Sequence, residues 1–290
     1  PGMAEGHYLR DRRSLPAPRE VIDTDVVILG SGIAALTAAW KLRKEGHPGA
    51  LMIDGPQPFG NAAGGRIGEL AYPTGAHYLP LPGMEAPHVR ELLADLGIIK
   101  SGATAEKPYY DEARLLHAPH ERLLFQGAWH DAVIPGEGVA PDELREHQRF
   151  FAHAEQLKQA RGSDGRRMFA MPSAQSSSDA QFDELDKLTF RDWLAHNGYR
   201  APTLLWYLDY CCRDDYGANA GKVSAWAGLH YFSSRTGQAA NAADGAWLTW
   251  PGGLQPVASA MAQASAARRM AGSVVAVRRT AAGVDALCFT

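Results

Sequence analysis

Val26 to Leu42 reads VVILGSGIAALTAAWKL, and no other stretch restricts the fold as much. Val26–Leu29 is a short apolar run with no helical period, closed by glycine, as a buried strand requires. From Ile33 onward the chain is alanine-rich, with Ile33, Leu36, Ala39, Trp40 and Leu42 near one helical stripe. Only three residues, Gly30-Ser31-Gly32, separate strand from helix. Gly46 and Gly49 then bracket a turn, and ALMID (50–54) supplies a second apolar strand. Strand, helix and strand within about 30 residues make a right-handed β-α-β unit. The first strand is apolar on both faces, which predicts a central position in a parallel sheet.

The joint has a chemical meaning. Gly30-Ser31-Gly32-Ile33-Ala34-Ala35 is G-x-G-x-x-A. The first glycine permits the sharp turn, the second lets a pyrophosphate approach the backbone, and the third position needs only a small side chain. The N–H groups at the start of the helix then face an anion. Asp54 ends the second strand, 24 residues after Gly30, where a carboxylate can accept hydrogen bonds from a ribose. That carboxylate disfavours a ribose 2′-phosphate, which argues against NADP at this loop. FAD and NAD share the adenosine diphosphate half, so the loop alone does not separate them.

Composition removes other classes. The 290 residues suit two domains better than one, and carry a net charge of −3 with 21 % charged residues, which argues against a nucleic-acid surface. No apolar run reaches the ~18 residues of a transmembrane helix. The three cysteines, Cys211, Cys212 and Cys288, have no metal or redox spacing and read as buried or half-buried thiols. His117 and His120 form H-x-x-H, but Pro119 breaks the helix that would align them, so no metal site is expected. No G-x-S-x-G elbow is present. Arg12-Arg13 lacks a following apolar run and is not read as an export signal.

Beyond Asp54 lies a second glycine-rich stretch, GPQPFGNAAGGRIGELAYPTGAHYL (55–79). Here the sequence resembles the flavin-containing amine oxidase superfamily, which includes phytoene-desaturase-like enzymes. That family carries the dinucleotide loop, the acid after the second strand, and then Gly-Gly-Arg over the pyrophosphate. Gly64-Gly65-Arg66 matches in residue type but lies further from Asp54 than the family spacing. Gly60-Asn61 fits the spacing, with Asn61 where the second glycine would stand, so both stay open. Gly75, Ala76 and His77 resemble the segment beside the isoalloxazine. Further stretches, GHYLRD (6–11), HAPHERL (117–123), WYLDYCCRDDYGA (206–218), SAWAGLHYF (224–232) and LTWPGG (248–253), resemble a bacterial subgroup of FAD-dependent, NAD(P)-binding oxidoreductases.

The resemblance implies an α/β fold: a Rossmann-type FAD-binding βαβ domain with a mostly helical substrate domain. The expected layout is an N-terminal arm (1–22), an FAD-binding domain (23–85 and 241–290) and a substrate domain (86–240). The family's second FAD-binding strand-turn-helix falls near its C-terminus. The final residues here read as two strands about an Ala-Ala-Gly turn, so a front part of a longer protein is expected. The implied reaction is oxidation of a C–N or C–C bond of a small molecule, an amine or an unsaturated substrate, by hydride transfer to flavin N5. Rival readings are an NAD-dependent Rossmann dehydrogenase and a non-catalytic dinucleotide-binding fragment or assembly module. The resemblance allows a cytoplasmic protein, or a periplasmic one after signal removal.

Several local features complete the reading. Helices are expected over 87–96, with Val89, Leu92, Leu93 and Leu96 inward, and over 141–160, with Leu144, Phe151 and Leu157 on one face. The loops at 161–179 suggest mobility. Thr189 and Asp192 fit a capping box. Residues 202–213, 222–234 and 252–270 read as helices and 273–289 as a hairpin. Arg213-Asp214-Asp215-Tyr216 reads either as a substrate-facing cluster or as an ion-paired helix end. Trp206, Trp226, Tyr231, Trp247 and Trp250 suit an aromatic substrate wall or an ordinary core.

Overall fold

The computed structural model describes residues 3–11, 14–15, 17–47, 49–117 and 121–289. Arg12-Arg13 and His120 lie outside the described residues. The chain divides into two compact units, Pro1–Leu79 with Leu248–Thr290, and Pro80–Trp247.

The first unit begins with helix α1 (Met3–Asp11), within the segment read from the sequence as an N-terminal arm. Strand β1 (Val27–Leu29), helix α2 (Ile33–Lys44) and strand β2 (Leu51–Ile53) follow. Next comes a hairpin of β3 (Gly64–Ile67) and β4 (Leu70–Pro73), and then strand β5 (Tyr78–Pro80). Leu36, Ala39 and Trp40 form the buried stripe of α2; its partly exposed flank includes Ile33.

The second unit is mainly helical. Helix α3 (Pro87–Asp95) leads to short strands β6 (Ile99–Ser101), β7 (Tyr109–Tyr110), β8 (Leu115–Leu116), β9 (Leu123–Phe125) and β10 (Ala128–His130). Helices α4 (Pro141–Gln159), α5 (Ala180–Asp183), α6 (Phe190–His196), α7 (Pro202–Tyr216) and α8 (Ala225–Ser233) carry the core. Phe150, Phe169, Phe190, Leu194, Leu204, Leu208 and Leu229 are its most buried large side chains. Each contributes roughly 1.5–3 kcal/mol on burial. Phe150 meets Tyr199 and Phe232 edge-on, with centroids 5.5 and 5.2 Å away. Gly228 lets α8 lie directly on the Phe190 ring, which a Cβ at that position would strike.

Helix α4 corrects one expectation. Its fully buried face is His147, Phe150 and Ala154; Leu157 packs against the same core as expected and Leu144 is half-buried, but Phe151 turns outward. Phe151 is 37 % exposed. The face turns because the imidazole can be buried: His147 Nε2 lies 2.9 Å from Thr203 Oγ1. Glu143 and Glu146 on the same helix accept from the backbone N–H groups of Arg200, Ala201 and Thr203. They thereby supply carboxylates to the start of α7, where the helix dipole favours them. The Thr189–Asp192 capping box forms as expected, with Asp192 N donating to Thr189 Oγ1 at 3.1 Å. In the 161–179 loops, Asp164 accepts from Arg166, Ser177 and Ser178, and Asp179 from Ser163.

Strand β11 (Trp247–Thr249) leads back to the first unit, which closes with helix α9 (Gln255–Ser265), strand β12 (Arg268–Met270) and the hairpin β13 (Ser273–Arg279) with β14 (Val284–Phe289). β12 joins the parallel sheet beside β2, so the order is β1-β2-β12. This corrects the position expected for the first strand. Central and buried throughout is β2; β1 lies at the edge of the sheet formed by this chain, with Leu29 43 % exposed. Apolar residues on both faces do not distinguish edge from centre, because the missing neighbour is a matter of hydrogen bonding in the sheet plane. Helices α2 and α9 pack together, and Arg43 Nη1 donates to Ala264 O at 3.0 Å.

Candidate functional site

The Gly30–Ala35 segment sits at the junction of β1 and α2. Gly30 has φ of +101°, the region that glycine enters without a Cβ penalty. Its N–H donates to Ile53 O at 2.7 Å, tying the bend to the end of β2. Ser31 is buried, and its hydroxyl donates to Asp54 O at 2.9 Å while lying 3.4 Å from the N–H of Phe59. Gly32 is different. Its φ of −72° is open to any residue. An ideal Cβ there reaches only Phe59 O, at 4.0 Å, so a side chain would project into open space beside the loop. Glycine at this position keeps the backbone accessible.

Among the described residues no side chain caps the start of α2. Gly32 offers no side-chain acceptor and the first turn holds no acid. Leu36 N makes the first helical bond, to Gly32 O at 3.0 Å, so the preceding N–H groups of Ile33, Ala34 and Ala35 have no intrahelical acceptor. Ile33 and Ala34 are exposed and Ala35 is half-buried. The positive end of the helix dipole is thus presented beside an accessible glycine backbone.

Asp54 follows β2 and accepts two contacts on Oδ1 from Arg269 of β12, Nε at 2.8 Å and Nη2 at 2.7 Å. The Arg269 guanidinium also lies 5.2 Å from the Phe59 ring centroid. Phe59, Ser259, Ala262, Gln263 and Arg269 line an open depression of about 330 Å³. Arg269 has no signal in the sequence, because its partner lies 215 residues away. Its charge offsets the repulsion that Asp54 alone would exert on a 2′-phosphate.

The two Gly-rich alternatives separate in space. Gly60 and Asn61 lie in a single 3₁₀ turn, Gly60–Ala62, against the loop: Phe59 and Gly32 form a β-bridge, and an ideal Cβ on Gly60 would sit 3.6 Å from Gly32 Cα. Gly64, Gly65 and Arg66 belong to β3 of the hairpin. A Cβ on Gly64 would meet Gln255 Oε1 at 2.6 Å, one on Gly65 would enter the Tyr72 ring, and Arg66 Nη2 donates to Glu69 O at 2.8 Å.

Gly75, Ala76 and His77 form a strap held on both sides. A Cβ on Gly75 would collide with Asn61 O, and Ala76 N donates to that same oxygen at 2.7 Å. On the other side Ala76 O accepts from Leu254 N at 3.0 Å, and Thr249 Oγ1 donates to His77 O at 3.2 Å. The His77 ring is exposed and meets Tyr78 edge-on at 4.8 Å.

Other singled-out residues fall elsewhere. Arg213 pairs with Asp209 at 2.7 Å, one turn back, rather than with its neighbours Asp214 and Asp215. His117 Nε2 lies 2.8 Å from Glu112 Oε1. Among the described residues no group of His, Cys, Asp and Glu could hold a metal ion, and no helix is long and apolar enough to cross a membrane. Cys211 and Cys212 are buried free thiols; burial pushes Cys212 up to about 12. Trp250 is buried, while Trp206 is half exposed and stacks on Tyr210 at 6.0 Å.

Residues 28–96 match the family described as NAD(P)-binding Rossmann-like domain. Over this segment the chain is similar to that family and has the parallel β1–β2 pair joined by α2. Solved structures extend the comparison over nearly the whole chain. Putrescine oxidase, in a structure bound to putrescine, matches with a TM-score of 0.63 and 16 % identity, covering 92 % of this chain and 55 % of that one. Cyclohexylamine oxidase from Brevibacterium oxydans IH-35A matches at 0.57 and 18 % identity, over 92 % and 55 %. A CLA-producing fatty acid isomerase from P. acnes matches at 0.57 and 17 %, over 93 % and 56 %. This chain shares the fold of these solved structures. This is the α/β class expected from the sequence. The chain spans about half the length of these matched structures. No curated protein sequence matches it.

Proposed function

We propose that this chain is part of an FAD-dependent oxidoreductase of the amine oxidase type, oxidising a C–N or C–C bond of a small-molecule substrate. One observation carries the reading: the uncapped start of α2 stands over an accessible Gly32 backbone, with the Asp54 carboxylate at the end of the adjacent strand. The residues fit a dinucleotide. Gly32 leaves room where a Cβ would lie, the first-turn N–H groups need an acceptor, and Asp54 offers a carboxylate to a ribose.

When bound, FAD supplies the acceptor for the hydride lost by the substrate. The chain's own residues bind and orient. Gly30, Ser31, Gly32, Ile33, Ala34 and Ala35 hold the diphosphate through N–H groups, and Asp54 holds the adenosine ribose with Arg269 fixing its carboxylate. Gly60 and Asn61, packed on Gly32, cover the pyrophosphate. Gly64, Gly65 and Arg66 brace that turn through the hairpin. The Gly75–His77 strap borders the ring, and its small residues exclude water by close approach. The first unit is the dinucleotide domain and the second, helical unit is the substrate domain.

Equilibrium dialysis against FAD, followed by an absorbance spectrum, tests the cofactor. The expected result is one FAD per chain with visible flavin bands; no retained flavin overturns it. A panel of amines and unsaturated acids, tested anaerobically for bleaching of those bands, identifies the substrate class. Arg269 beside Asp54 favours a second reading, a nicotinamide dinucleotide with or without a 2′-phosphate. Parallel dialysis against NAD⁺ and NADP⁺ separates the two.

A further inference from the structure

The end of α8 runs into polar groups for which the dinucleotide site has no use. Ser234, which follows the helix, is 2 % exposed, and its hydroxyl has no hydrogen-bond partner among the described residues. The buried Nε–H of Arg235, the next residue, has none either. Leaving a buried donor unpaired costs about 1–3 kcal/mol, and more when the group is charged. Two such donors on consecutive residues call for an acceptor.

The chain supplies that cation with two polar neighbours, the Asp215 carboxylate and the Tyr231 hydroxyl, and neither takes the Nε–H. Arg235 Nη2 lies 3.9 Å from Asp215 Oδ2 on α7, at the outer limit of an ion pair. Burial raises the Asp215 carboxyl above its usual range, with Arg235 opposing and Asp214 reinforcing the rise. The guanidinium instead rests near two rings, 4.5 Å from the Tyr231 centroid and 5.7 Å from that of Trp247. Its side chain keeps 26 % exposure, carried by atoms other than the enclosed Nε, so a solute can reach the guanidinium from outside. A guanidinium with an unpaired donor, an unpaired hydroxyl on the preceding residue and nearby aromatic rings suits an oxygen acceptor that is itself charged, on an apolar body.

We propose that Ser234 and Arg235 form a carboxylate-binding subsite of the second unit. It takes an acid whose flat apolar body lies against Tyr231 and Trp247. Every residue of the subsite belongs to that unit, so the proposal does not depend on the dinucleotide reading.

Isothermal titration of the full chain with sodium benzoate tests it, with benzylamine hydrochloride as the charge-reversed control. The expected result is saturable one-to-one binding of benzoate, with benzylamine at least tenfold weaker. Arg235→Gln and Arg235→Lys each weaken benzoate at least tenfold; the lysine keeps the charge but loses the Nε donor. Ser234→Ala, which removes only a hydroxyl, weakens it about threefold or more, close to the net value of one hydrogen bond. Circular dichroism checks that each variant is folded. Absent benzoate binding at about 1 mM, equal binding of benzylamine, or unchanged affinity in folded Arg235→Gln or Ser234→Ala overturns the subsite.

Discussion

Arg269 of β12 grips Asp54 at the end of β2 through two contacts on one oxygen, Oδ1, leaving Oδ2 without a hydrogen bond among the described residues. The pair connects the last strand of the parallel sheet to the acid of the dinucleotide fingerprint. It sets the rotamer of the carboxylate before any ribose arrives, so less ordering accompanies binding.

Arg269→Gln is therefore expected to weaken ADP binding about fivefold, near 1 kcal/mol. It also erases most of the preference for ADP over 2′-deoxy-ADP. Titration with both nucleotides checks this. Weaker binding with an undiminished ribose preference would sink the positioning role. Asp54→Ala is expected to cost ~1.5–3 kcal/mol of affinity.

Gly30 and Gly32 should respond differently to the same substitution. Gly30→Val forces a β-branched residue to φ of +101°, a strain of order 1–3 kcal/mol, and lowers the thermal midpoint. Gly32→Val has an ordinary φ and open space around its Cβ. It is expected to keep the midpoint and abolish FAD retention. Calorimetry and dialysis on both variants separate the two effects; retained stoichiometric flavin in folded Gly32→Val defeats the phosphate assignment.

Gly228→Ala drives a methyl into the Phe190 ring. Both sit in the core of the second unit, where overpacking typically costs about 1–3 kcal/mol. A lower urea midpoint with an unchanged slope is the expected outcome. A midpoint at the wild-type value would mean that α8 and Phe190 do not meet as closely as described.

His147 gives the helical unit an acid-side weakness. Burial depresses its imidazole below the ordinary value, against Glu143 and Glu146, which pull it up. Unfolded, the ring takes its proton near pH 6.5. Between that value and the lowered folded one, the unfolded chain binds more protons, so stability rises with pH. The contribution is present above about pH 6.5 and is lost as pH falls through the folded value. His147→Gln, which keeps an amide for Thr203, should flatten the pH dependence of the urea midpoint below 6.5; an unchanged slope would assign it to other groups.

Much of the first unit is legible in residues 26–54, because each part of the fingerprint acts locally. A glycine turn, a helix start and an acid at a strand end need no distant partner to be recognised. The capping box at Thr189 is legible for the same reason. The α4 face is not, since burial of His147 depends on Thr203, 56 residues further on. Gly60-Asn61 and Gly64-Gly65-Arg66 look interchangeable in one dimension. They diverge because β3 pairs with β4 as a hairpin while the 3₁₀ turn folds onto Gly32.

By itself, the amino-acid order determines that a β-α-β unit forms near the N-terminus and that its bend can receive a diphosphate, because periodicity and glycine placement encode backbone shape over short range. Tertiary structure alone decides that β2, not β1, is the middle strand of this sheet, that Arg269 meets Asp54, and that the Ser234 hydroxyl and the Arg235 Nε are buried without acceptors. Those outcomes depend on which distant segments come to lie side by side. Strand order, ion pairing and desolvation are properties of neighbours in space.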